Sequence, residues 1–86
     1  PRTSEFYELT IAPGGAERAQ PHARGTREQL VVVRGRVAIE VAGARHELAE
    51  HDAIGFDADV PHAYLNPDQR REALLYLVMT YAEPVR

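Results

Sequence analysis

Apolar and polar positions alternate with a period of two along much of the chain. Val37, Ile39 and Val41 alternate with Arg36, Ala38 and Glu40, the pattern of a strand with one face buried. Residues 6–11 mix aromatic, β-branched and polar side chains and read as a strand ended by Pro13-Gly14-Gly15. Residues 16–25 carry no alternation and read as irregular, with Pro21 fixing the chain ahead of His22. Residues 29–33, with three valines in a row, read as a strand buried on both faces and broken by Gly35. Ala42-Gly43-Ala44 marks a hairpin turn and residues 45–48 the returning arm. Glu50-His51-Asp52 is a second turn, residues 53–56 a short strand and residues 57–61 a loop. Residues 62–65 form the next strand, Asn66-Pro67-Asp68 a turn, and residues 72–81 the last and longest strand. No segment sustains a 3.6-residue period with caps. Strands recurring every 8–12 residues or so predict an all-β sandwich or barrel without a helix longer than about two turns.

The 86 residues suffice for one domain, read as a single unit over 1–86 with its barrel about 6–81 and polar tails at 1–5 and 82–86. A domain this small has a limited core, and the apolar strands at 30–33 and 74–79 predict a homodimer. The chain has no cysteine, which removes disulfides and thiolate chemistry. Ten cationic residues, all arginine, stand against thirteen acidic ones, for a net charge of −3. That balance does not build the positive field that nucleic acid requires, so no DNA binding is expected of this domain alone. No apolar run approaches the length of a membrane span. The chain starts at Pro1 rather than Met, which reads as excision from a longer protein.

Strand parity narrows the chemistry. Glu28, Leu30 and Val32 share one face, and His62, Tyr64 and Asn66 share another. If Leu30 points into a barrel, so does Glu28, and an inward carboxylate is costly without a partner. The partners on offer are His22, Arg24, Arg27 and His62, through metal coordination or an Arg–carboxylate pair. The residues alone leave both open. Phe56, Tyr64 and Tyr76 fit a pocket wall or plain core. His46 reads as surface and His51 as a turn residue. Asp52 reads as a backbone-amide acceptor, and Arg70-Arg71 as solvent-facing.

These two clusters resemble the paired motifs of the cupin superfamily. In the first, H-x-H-x3-4-E-x6-G, His22, Glu28 and Gly35 take the first histidine, the glutamate and the closing glycine, and Arg24 replaces the second histidine. In the second, which ends P-x-G-x2-H-x3-N, His62 and Asn66 fit, while Asp57 and Asp59 replace the proline and glycine and His51 the opening glycine. The resemblance implies a single-domain antiparallel β-barrel of the jelly-roll type, with pairing through sheet faces.

More narrowly, H-x-x-G-x-x-E-Q-x-V-V-x-x-G-R-V followed by F-x-A-D-x-P-H-x-Y-x-N is similar to the C-terminal domain of helix-turn-helix/cupin transcription regulators. That likeness implies a cytoplasmic, effector-binding domain rather than an enzyme. His22, Arg24, Glu28, His62 and Tyr64 would line its ligand pocket, and Arg24 would suit an anionic small molecule. The alternative is a stand-alone metal-dependent enzyme of dioxygenase or isomerase type, with His22, Glu28 and His62 as an open two-His-one-carboxylate set. Arg24 beside the site argues against a tightly held metal and leaves room for a weakly bound iron, manganese, nickel or zinc ion.

Overall fold

The structure is a computed structural model that describes residues 2–82. Eight strands follow in order: β1 (Arg2–Ile11), β2 (Ala16–Ala19), β3 (Arg27–Arg34), β4 (Val37–Val41), β5 (Ala44–Leu48), β6 (Ala53–Asp57), β7 (His62–Leu65) and β8 (Ala73–Ala82). No helix occurs among the described residues. Two four-stranded antiparallel sheets form, ordered β1-β8-β3-β6 and β2-β7-β4-β5. They pack face to face as the two walls of a flattened barrel, the all-β architecture that the spacing of the strands predicts.

Three expectations need revision. Residues 2–5 are not a tail: they extend β1, paired with β8 from Arg2↔Ala82 to Ile11↔Ala73. The polar side chains there hid a strand whose order comes from its partner. Ala16–Ala19 is likewise a strand, paired with β7, although three of its four residues are exposed. An edge strand with little to bury carries no alternating signal. Residues 29–33 are not buried on both faces. Leu30 and Val32 are fully covered, Val31 and Val33 are half-buried, and Gln29 is exposed. A two-layer sandwich leaves the outer face of each sheet open. Of the tail expected at 82–86, Ala82 closes β8, and 83–86 lie outside the described residues.

The core lies between the sheets. Ile11, Leu30, Val32, Leu75 and Leu77 from one sheet meet Val37, Ile39 and Tyr64 from the other. Each such aliphatic side chain contributes about 1.5–3 kcal/mol on burial. Turn chemistry sets the register. Ala42 and Gly43 both take left-handed backbone, φ 49° and 84°, in the two-residue turn joining β4 to β5. Gly35 sits at φ 86°, and a Cβ there would lie 3.0 Å from the Glu72 carbonyl oxygen, so the motif's closing glycine is a backbone requirement.

Candidate functional site

Glu28 lies on the inner face of β3, between Met79 of β8 and Phe56 of β6 in the cross-strand register. It is fully buried. Its partner comes from the opposite sheet: the Tyr64 hydroxyl donates to the carboxylate, 2.7 Å from Oε1 and 2.6 Å from Oε2. Burial pushes the Glu28 carboxyl above its ordinary value, opposed by the hydrogen bond from Tyr64 and by His62. Burial and the adjacent carboxylate push the Tyr64 phenol well above the usual range, so it is a neutral donor.

His62 follows the same logic of parity. It opens β7, two residues before Tyr64, and its ring faces inward beside those of Phe56 and Tyr64. His62 Nδ1 lies 2.7 Å from the Val60 carbonyl oxygen. A carbonyl only accepts, so Nδ1 carries a hydrogen, and Nε2 is the ring atom turned toward Glu28. That atom is buried, has no hydrogen-bond partner, and lies 3.8 Å from Glu28 Oε1.

His22 comes from the loop before β3. Its backbone N–H donates to Ala58, and the Ala58 N–H donates to Thr26, fastening residues 22–26 to the loop between β6 and β7. The His22 ring sits 5.5 Å from that of His62 and edge-on to Tyr81 at 6.5 Å. Donor atoms of His22, Glu28 and His62 all lie within 4.8 Å of one another.

Four of the five expected pocket residues, His22, Glu28, His62 and Tyr64, therefore meet in one cluster. Arg24 stands apart, exposed in the turn at 23–25, with no hydrogen bond or ion pair to the cluster. Gly25 in that turn takes φ 83°, and its N–H donates to Asp59. Arg27 is directed away from Glu28 and pairs with Asp57 at 2.8 Å on the open face of the sheet.

Asn66 is structural. Its side-chain amide donates to the carbonyls of Ile11, Ala12 and Arg71, and its Oδ1 accepts from the Asp68 N–H. The last residue of the second motif thus ties three chain segments together at the end of β7. Asp52 accepts from the Ala49 N–H, as a turn aspartate does. His46 and His51 are exposed. A cleft of about 440 Å³ opens at the end of the β2-β7-β4 sheet, lined by Arg18, Glu40, Pro61 and Ala63 among others; His62 is the residue it shares with the cluster. Sequence reasoning missed this cleft, because Arg18 and Glu40 flank Ala63 only through strand pairing.

The donor set fits a metal ion. Two imidazoles and a carboxylate converge, and His62 Nε2, the ring nitrogen not engaged by Val60, is the buried atom without a hydrogen-bond partner. The 3.8 Å between His62 Nε2 and Glu28 Oε1 is within the span of about 4.2 Å that one ion bridges with bonds near 2.1 Å.

Comparison with known proteins agrees with this geometry. The family profile of the cupin domain, Cupin_2, matches residues 7–79. The HTH-type transcriptional regulator SutR of Escherichia coli (strain K12) is 32% identical over 62 residues, which make up 72% of this chain and 35% of SutR. The chain thus spans about a third of that curated relative's length. Among solved structures, the Cupin_2 domain of an XRE family transcriptional regulator from Enterobacter cloacae superposes with a TM-score of 0.88 at 26% identity, covering 93% of this chain and 83% of that one. An HTH_3 family transcriptional regulator from Vibrio cholerae gives 0.86 at 26% identity, covering 93% of this chain and 44% of its own. With the two-sheet fold, the inward His22, Glu28 and His62, and a profile match over nearly the whole described length, the chain belongs to the cupin family.

Proposed function

We propose that this chain is the effector-binding domain of a helix-turn-helix transcription regulator. Its ligand site is the cluster of His22, Glu28, His62 and Tyr64, and the chain acts as a homodimer in the cytoplasm. The likeness to regulators supports the context. One observation carries the site: a buried imidazole nitrogen without a hydrogen-bond partner faces a buried carboxylate across 3.8 Å. A buried nitrogen and a buried carboxylate so placed leave room for a shared partner between them. That partner is a divalent cation, or a hydrogen-bond donor on the effector. An anionic effector would draw on exposed arginines, Arg24 at the turn or Arg18 in the adjoining cleft. The effector acts through its differential affinity for two arrangements of the domain, which an attached DNA-binding domain then senses.

Thermal denaturation of the purified chain tests the site. Cobalt(II) or zinc(II) at about 100 times its dissociation constant should stabilise the chain by about 2.7 kcal/mol, and His62→Ala should remove the gain. A panel of amine- and hydroxyl-bearing small molecules, run with and without metal, then searches for the effector. Identical melting of the native chain and His62→Ala under every condition would refute the site.

The second reading is a metal-dependent enzyme, favoured by the two-His-one-carboxylate set. Oxygen consumption by the iron-loaded chain with a candidate substrate distinguishes it from a sensor.

A further inference from the structure

Glu28 is held by a residue that no part of the metal-ligand set accounts for. Tyr64 reaches across from the facing sheet and places its hydroxyl 2.7 and 2.6 Å from the two carboxylate oxygens. A phenol has one hydrogen, so at any instant it satisfies one oxygen, and an ionised carboxylate offers about four acceptor sites. Oε1 is the oxygen that His62 Nε2 approaches at 3.8 Å. The phenol hydrogen is free to settle on Oε2. The Tyr64 ring cannot easily swing away, since Tyr64 is buried and packs edge-on against His62 at 5.7 Å. Phe56 and Met79 flank Glu28 on its own sheet and offer no competing donor.

From this arrangement we infer that Tyr64 is the positioning residue of the cation centre. Its hydroxyl holds Glu28 Oε2, so that Oε1 alone is presented to an ion shared with His22 and His62. The inference rests on the cation reading of the cluster. It gives the inward tyrosine, two residues after the motif's histidine, a defined part: it fixes one-oxygen ligation by Glu28 and stays outside the coordination sphere. A donor of this kind, behind a ligating carboxylate, typically changes metal affinity by about 10–100-fold.

Cobalt(II) titration of the native chain and of Tyr64→Phe, followed by calorimetry and by the visible d–d spectrum, tests it. The expected result is a dissociation constant about 10–100-fold weaker in Tyr64→Phe, with an altered d–d envelope as Glu28 becomes free to bind through both oxygens. Infrared difference spectra of the native chain supply a measurement that needs no variant. The separation between the antisymmetric and symmetric carboxylate stretches should widen on cobalt binding, as one-oxygen ligation requires. Equal affinity and equal spectra in a folded Tyr64→Phe would overturn the positioning role and leave the cation reading standing. A phenolate-to-iron charge-transfer band in the ferric-loaded chain would overturn it by making Tyr64 a ligand. A native chain that binds no cobalt would overturn the cation reading and this inference together.

Discussion

His62 and Glu28 face each other from opposite sheets at 3.8 Å, both buried, with the histidine's other nitrogen committed to the Val60 carbonyl. The contact joins the two motifs of the sequence across the core. Neither residue meets the other through its own strand, so the geometry tests the packing of the sheets as much as the chemistry of the site.

Removing the carboxylate leaves a buried phenol without an acceptor. Glu28→Ala should cost about 1–3 kcal/mol in urea unfolding, the penalty for an unsatisfied buried donor. Glu28→Gln keeps an acceptor for Tyr64 and should cost less. Both should lose cobalt binding. Equal stability of the two variants would show that the Tyr64 hydrogen bond carries no weight.

Asn66 separates stability from ligand binding. Its side chain meets three carbonyls and one N–H, mostly out of solvent. Asn66→Ala should destabilise the chain by about 2–3 kcal/mol, seen as a lower urea midpoint at an unchanged slope. The variant's cobalt affinity, measured well below its melting temperature, should match the native value. A selective loss of affinity would place Asn66 in the site.

The proposed dimer has a candidate face. Phe6 is 65% exposed, its ring lies 5.5 Å from that of Tyr76, and Val78 is its cross-strand partner. Half-buried Val31 pairs with Tyr76 on the same outer face. Phe6→Glu should weaken self-association at least tenfold, or about 1.4 kcal/mol, by sedimentation. Unchanged association would move the interface elsewhere.

Acid stability has a local contributor at the turn after β7. Asp68 accepts from the N–H groups of Arg70 and Arg71, which hold its carboxyl below the ordinary 3.8. A depressed folded value means that the native state favours the charged form. The stabilisation is therefore fully present above the ordinary value and lost as pH falls through the folded one. Melting temperatures of the native chain and Asp68→Asn should differ by a constant amount from about pH 5 to 7 and converge below about pH 4. A constant difference down to about pH 2 would contradict the assignment.

Much of this was legible in the residues, because a two-residue period fixes which side chains travel together. Glu28 with Leu30 and Val32, and His62 with Tyr64, point inward as parity requires. What stayed hidden depended on contacts between distant segments. Strand β2 and the first residues of β1 are ordered by their partners rather than by their own apolar pattern. The left-handed Gly25 and its bond to Asp59 shape the turn that carries Arg24, which a motif alignment does not encode. The Tyr64–Glu28 hydrogen bond joins residues 36 apart on facing sheets, and no spacing within one strand announces it.

The backbone bonds around Ala58 have a mechanical consequence. Ala58 accepts from the His22 N–H and donates to the Thr26 carbonyl, and it follows directly on β6. A pull on the His22 ring is therefore a pull on β6, which has a free edge because its sheet ends there. A ligand bound at the His22 ring would thus act, through the loop that holds this histidine, on the border of the sheet.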